Sequence, residues 1–396
     1  MLPLPAHSKT PAAWTFVPRR RAVFFTCVFV FALTVSLWAY SLAPPDEPET
    51  LSKPHKTTDG ALTSLGLEAD RSYKLGSTDI PSYKAELDEF IISAFPKTLH
   101  SQLRASLNFF VPDVPSDGPV TFPSVPRKIW QTHKDKGLIA DELWSTQPGY
   151  EYRFLDDQEA NAWVEKWFKG SEIATVWNKL DVGILKSDLF RYLVLLIEGG
   201  IYSDMDTMLL KPIPYWGSNP DVVKGTGPAS LFVGVEADVG EREDWHHWWS
   251  RPLQIVQWTI ASAPYHPVLL DAVRRVHNAT MIMDEWRRSS GINEETRGEA
   301  LRVLLGEKGS WMSVMEWTGP GIFTDSVFRY LAVQHGMTWP VAKNLRRPLR
   351  AQDVVILPVT AFSPGVGMFG SEEPLDEQAL VHHLFAGTWR EPAPEK

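Results

Sequence analysis

Residues 186–206 limit the fold more than any other part of the chain. Apolar residues recur at helical spacing from about Val182 to Glu198, and Gly199-Gly200 is a strong stop signal. Ile201-Tyr202-Ser203 then reads as a short strand that ends on Asp204-Met205-Asp206. A helix that turns through two glycines into a strand tipped with carboxylates suits an α/β sheet, where ligands collect beyond the carboxyl ends of strands. On the helix, Asp188 and Arg191 are spaced i, i+3 and share a face set among Leu189, Phe190, Leu193 and Leu196. Ions on so apolar a helix need partners.

Asp204 and Asp206, one residue apart, can both reach one hard cation, which prefers oxygen ligands. A diphosphate can complete its shell, and such a metal offsets charge growing on a leaving nucleotide. At about 4 Å and an effective dielectric near 20, each unit-charge pairing is worth roughly 4 kcal/mol before desolvation. Arg191 could add a cationic contact to the phosphates or hold a carboxylate in place. The competing view is a structural ion pair beside a polar loop. The helix, paired glycines and aromatic strand ahead of the carboxylates favour chemistry.

The surroundings agree. Strands are expected at 128–131, 151–155, 230–235 and 354–357, and Asp156 with Glu159 forms a capping box that opens a helix through Phe168. Strands alternating with helices predict an α/β domain with a mainly parallel sheet. Residues 22–43 carry no charge and, as a helix, would span about 33 Å, enough for a bilayer core of about 30 Å. Arg19, Arg20 and Arg21 precede the run; Asp46, Glu47 and Glu49 follow it. The positive-inside rule then keeps residues 1–21 in the cytosol and sends the rest across. A cleaved signal peptide is the rival, although its apolar region should be shorter, about 7–15 residues. Residues 44–120 read as a flexible stem with a helical lead-in, where Leu87, Phe90, Ile91, Ala94, Leu99, Leu103 and Leu107 mark an apolar stripe. Residues 121–396 form the expected lumenal domain. The net charge of −9 and the lack of a basic stripe argue against nucleic-acid binding. The single cysteine, Cys27, leaves no internal disulfide.

Lys186-Ser187-Asp188, Arg191-Tyr192, then Gly199-Gly200, Tyr202, Asp204 and Asp206 resemble the hallmark of glycosyltransferase family 32. Over about residues 120–390, Ile129-Trp130-Gln131-Thr132, Trp317-Thr318-Gly319-Pro320 and His382-His383 through Trp389 are similar to family landmarks. Together with Glu236-Ala237-Asp238 and Gln257-Trp258, they resemble its fungal initiation-specific α-1,6-mannosyltransferases. The resemblance implies a GT-A-like nucleotide-binding fold, GDP-mannose as donor and manganese as cofactor. It also implies retention at the anomeric carbon, an N-glycan acceptor and a Golgi membrane location. It places metal and diphosphate on Asp204 and Asp206, with His383 approaching the metal. Donor contacts would come from Trp130, Asp188, Arg191, Tyr202 and Trp389. Retention needs no nucleophile if the acceptor hydroxyl attacks from the leaving-group side; a covalent route would need a carboxylate, and Glu236 and Asp238 are the candidates.

Other matches are weaker. Gly365, Gly367 and Gly370 fit a dinucleotide-binding spacing but open no helix. His246-His247 would point to opposite faces of a strand. Asn278-Ala279-Thr280 is a glycosylation sequon, consistent with a lumenal domain. Asp204-Met205-Asp206-Thr207 also matches a phosphohydrolase motif, but Gly199 and Gly200 interrupt the strand it requires. The remaining alternatives are a non-catalytic or partner-dependent subunit of a mannan-building complex, another donor, or a sphingolipid acceptor. Family members acting on sphingolipids usually carry additional C-terminal spans, and no further span is read here.

Overall fold

The computed structural model describes residues 73–114, 118–135, 141–217, 227–239, 245, 248–289 and 312–386. The expected anchor at 22–43, most of the stem, His246-His247 and Trp389 lie outside them. Among the described residues no helix is long and apolar enough to cross a membrane.

The longer helices are α1 (Ile80–Ala94), α2 (Lys97–Phe110), α3 (Asp157–Phe168), α4 (Glu172–Lys179), α5 (Gly183–Glu198), α6 (Pro267–Ser289) and α7 (Pro320–His335). The strands are β1 (Lys128–Thr132), β2 (Glu151–Leu155), β3 (Gly200–Ser203), β4 (Thr207–Leu209), β5 (Leu231–Asp238), β6 (Leu253–Ile255), β7 (Thr259–Ser262), β8 (Leu349–Ala351), β9 (Val354–Leu357) and β10 (Val381–His383). The capping box forms as expected, with Asp156 accepting from the Glu159 N–H and Glu159 accepting from the Asp156 N–H.

The central sheet runs in the order β2-β1-β3-β7-β5-β9-β8, with β6 also paired to β5. β1, β2, β3, β5 and β9 share one direction, while β6, β7 and β8 oppose it. The sheet is therefore mainly parallel in strand direction, as expected, but β7 is wedged antiparallel between β3 and β5. That wedge is absent from the sequence reading because β7 follows β6 without a crossover helix. The carboxyl ends of β1, β3 and β5 fall along one edge of the sheet.

Alternation along the strands sorts side chains onto two faces. Trp130 and Tyr202 join the large core beneath the helices, whereas Ile129 and Ile201 join a smaller cluster with Trp144, Trp216, Leu357 and Phe362. The apolar stripe expected at 83–110 splits into α1 and α2 at Phe95-Pro96, because a residue preceding proline disfavours helix. Tyr83, Leu87, Phe90, Leu99, Leu103 and Leu107 are buried in the large core. The helices placed with the stem therefore pack in the same core as the sheet, which is what covers their apolar stripe.

The turn into β3 is tight. Gly199 and Gly200 have φ of +64° and +105°, and a Cβ on Gly200 would stand 2.7 Å from the Lys128 carbonyl oxygen. Gly200→Ala is expected to cost about 3 kcal/mol, combining an unfavourable φ with a clash against backbone. Denaturant unfolding read by circular dichroism checks this.

Charged groups also enter the interior. Asp271 on α6 is fully buried and receives Arg274 (2.9 and 2.7 Å), Arg275 (2.9 Å) and Arg329 of α7 (3.2 Å). Nearby, the buried Arg251 guanidinium bonds Asp325 and Glu316. Arg329 also reaches Glu86 of α1 at 2.8 Å, so the cluster ties α1, α6 and α7 together.

Candidate active site

Asp188 and Arg191 face inward from α5 and are almost wholly buried. Arg191 Nη2 lies 2.9 Å from Asp188 Oδ1 and 3.2 Å from Asp204 Oδ1, so one guanidinium bridges the helix and the strand end. It also donates to the Gln257 carbonyl at 3.1 Å, and its Cζ lies over the Tyr202 ring, 5.0 Å from the ring centre. Asp188 accepts from Gln257 Nε2 at 3.1 Å and from Thr318 Oγ1 at 2.8 Å. Burial pushes the Asp188 carboxyl up, to about 6, while Arg191 and the Thr318 hydroxyl pull it down. The carboxylate thus fixes the arginine, and the arginine fixes Asp204.

Asp204 follows β3 directly. Its backbone N–H donates to the Trp258 carbonyl at 2.8 Å, and its own carbonyl accepts from Gln131 Nε2 at 3.1 Å. Burial raises the Asp204 carboxyl and the neighbouring Asp206 adds to that, with Arg191 and His383 opposing. Asp206 is half-buried. Burial works to raise its carboxyl, but the hydrogen bond and charge of His383 hold it below the usual range.

His383 arrives from the other end of the chain. β10 pairs antiparallel with β4, setting His383 against Thr207 and its Nε2 3.2 Å from Asp206 Oδ1. Its ring stacks on Trp258 with centroids 4.5 Å apart, and the Leu384 and Ala386 N–H groups bond Asp206 at 2.8 and 3.1 Å. One donor atom each from Asp204, Asp206 and His383 lie within 4.8 Å of one another. Two carboxylate oxygens and an imidazole suit a divalent cation such as manganese or zinc better than a soft monovalent one.

Several expected site residues have other immediate neighbours. Trp130 is buried beneath α5 and donates its indole N–H to the Gly199 carbonyl at 2.9 Å, so its polar atom braces the glycine turn. Tyr202 is buried under Arg191, and its hydroxyl meets Thr132 at 3.0 Å and Ser187 at 3.3 Å. Glu236 sits near the carboxyl end of β5 and accepts from Gln254 Nε2 at 2.9 Å; burial pushes it up to about 7. Asp238 accepts from the Asn344 N–H. Gln257 and Thr318 were legible only as landmarks; their task as the partners of Asp188 needed the tertiary structure. The sequon threonine, Thr280, is buried in α6, where it accepts from the Trp317 indole.

A family model described as "Glycosyltransferase sugar-binding region containing DXD motif" matches residues 128–223. The initiation-specific alpha-1,6-mannosyltransferase of Candida albicans is 31% identical over 292 residues, 67% of this chain and 72% of that one. The chain therefore belongs to the DXD-containing glycosyltransferases of family 32. The initiation-specific alpha-1,6-mannosyltransferase of Schizosaccharomyces pombe is 40% identical over 276 residues, 67% of this chain and 64% of that protein. The Saccharomyces cerevisiae protein of the same description is 28% identical, with 77% of this chain and 89% of that one covered. The chain thus spans just under two thirds of the fission-yeast relative and more of the other two.

Proposed function

We propose that this protein is a retaining mannosyltransferase that uses GDP-mannose and a divalent metal, manganese by preference, to extend an N-glycan, in α-1,6 linkage. The convergence of Asp204, Asp206 and His383 carries the reading. The similarity to relatives described as α-1,6-mannosyltransferases supports the sugar and the linkage. On this reading the domain is GT-A-like and lumenal, anchored in the Golgi membrane by residues 22–43.

Asp204, Asp206 and His383 would hold the metal, which when bound offsets the charge growing on the departing nucleoside diphosphate. Arg191, held rigid by Asp188, keeps Asp204 in position and adds positive potential at the carboxyl edge of the sheet. Trp258 backs His383, fixing the imidazole plane. Trp389 would close over the nucleotide. The acceptor hydroxyl attacks from the leaving-group side, and a diphosphate oxygen takes its proton.

Glu236 tests that route. Glu236→Gln keeps the shape and hydrogen-bonding capacity but removes the nucleophile of a covalent path, so a loss of less than about tenfold in kcat is expected. Intact-mass measurement during turnover should show unmodified enzyme; a mannosylated species would replace the direct route with the covalent one.

The activity is tested by incubating the full-length protein in detergent with manganese and a panel of sugar nucleotides, with and without an oligomannose N-glycan. Metal-dependent transfer from GDP-mannose alone is the expected result. Turnover restricted to another nucleotide would refute the donor assignment. Silence with every nucleotide from folded protein would favour a partner-dependent subunit.

A further inference from the structure

The segment that follows β10 is clasped against the carboxylate cluster. Three consecutive backbone N–H groups point back at it: Leu384 donates to the Asp206 carbonyl at 2.8 Å, Phe385 to His383 Nδ1 at 3.2 Å, and Ala386 to Asp206 Oδ2 at 3.1 Å. To close this clasp, Phe385 takes a φ of +50°, in the left-handed region. Glycine adopts that region at no steric cost, whereas a bulky residue there is an outlier. Strain of this kind persists where surrounding contacts over-determine the backbone, and it concentrates at functional sites.

Core packing does not account for a phenylalanine at this position, because the residue is 53% exposed. What its ring does touch is the site. It stands nearly perpendicular to the His383 imidazole, with centroids 4.2 Å apart and planes at 80°, and nearly perpendicular to Trp258 at 5.6 Å. Trp258 in turn stacks on the same imidazole. His383 is therefore flanked by two aromatic rings and only 9% exposed, although Leu384 and Phe385 after it are each half-exposed. An imidazole that must present Nε2 beside Asp206 gains from both contacts, because side chains around a functional group hold its geometry only when their own packing locks it. Glycine would make the same turn without strain, so the ring itself is what this position keeps.

We propose that Phe385 is a positioning residue of the cation centre: its ring holds the His383 imidazole in place against Trp258 and covers it from solvent. The proposal rests on the metal-centre reading above and deepens it. Losing the ring would loosen the imidazole, weaken the hold on a cation and admit water to the site of transfer.

The test compares wild type with Phe385→Gly, Phe385→Ala and Phe385→Tyr, each as the full-length protein in detergent. Glycine keeps the turn and removes the ring, so the metal-free glycine variant should melt no lower than wild type. One aromatic contact of this kind shifts an equilibrium by roughly tenfold. In the metal-free protein, diethyl pyrocarbonate should therefore modify His383 about tenfold faster in the glycine and alanine variants, read by peptide mass spectrometry with the neighbouring His382 as internal reference. Manganese affinity, read by electron paramagnetic resonance, should fall about tenfold, and acceptor-free hydrolysis of GDP-mannose should rise by a similar factor relative to transfer. Phe385→Tyr keeps the ring and should restore all three to within about twofold of wild type. Unchanged protection of His383 in folded Phe385→Gly would overturn the proposal, and so would losses that track a lowered melting temperature in both truncated variants. If no form binds manganese or turns over a sugar nucleotide, the metal-centre reading fails, yet faster His383 modification in Phe385→Gly that tyrosine reverses would still uphold the ring as what holds and covers the imidazole.

Discussion

Asp206→Ala is expected to abolish sugar transfer, with a loss of about 10²–10³-fold or more. The carboxylate does two things at once. One oxygen faces His383, and the other accepts the Ala386 N–H, so on the proposed reading the side chain would hold the metal while it pins the segment after β10. Alanine removes both, leaving Asp204 as the only carboxylate of the pair, with Arg191 competing for it. Asp206→Asn separates the contributions. An amide oxygen can still accept the Ala386 N–H, but it carries no charge for a cation. The asparagine variant should therefore fold and bind nucleotide sugar weakly while staying close to the alanine variant in rate. Manganese titration by electron paramagnetic resonance, run beside steady-state turnover, reads the two effects apart. Retention of wild-type manganese affinity in Asp206→Ala would place the metal elsewhere.

Asp271→Ala should be the most destabilising single change in the helical layer, at about 3–5 kcal/mol, because it strands three arginines around a buried hole. Burial alone would raise the Asp271 carboxyl, but Arg275, Arg274 and Arg329 hold it far below the ordinary range. The sign follows from that depression. A carboxylate whose folded value lies below its unfolded value of about 3.9 stabilises the protein fully above that pH, and the stabilisation is lost as pH falls through the folded value. Wild type should lose stability progressively below about pH 4, whereas Asp271→Ala should be weaker at neutral pH and flatter across the acid range. Thermal melts at several pH values measure both. Parallel acid profiles for wild type and variant would show that the arginines find other partners.

Much of the site was legible because its chemistry is local in sequence. The i, i+3 spacing of Asp188 and Arg191, the paired glycines and the one-residue gap between Asp204 and Asp206 each specify geometry over a few residues. The buried contact of Arg191 with Asp204 follows directly from that spacing once α5 lies against β3. What stayed hidden was set by long-range pairing. Trp130 was expected at the donor by resemblance alone, and the sequence did not announce that its indole N–H donates to the Gly199 carbonyl. The antiparallel β7 carried no helix-strand rhythm to announce it. The helices at 80–110 were readable only as a helical lead-in, because an amphipathic stripe does not say what covers it; here the domain core does.

The pairing of β10 with β4 has a further consequence during synthesis. Ala386 and Asp206 meet although 180 residues separate them, so the carboxylates emerge from the ribosome long before the imidazole that faces them. On the proposed reading, the three side chains that would hold the cation come together only after β10 has paired with β4. Among the described residues, the pairing of β10 with β4 is thus the step that would complete the proposed centre, and activity should appear no earlier in folding than that pairing.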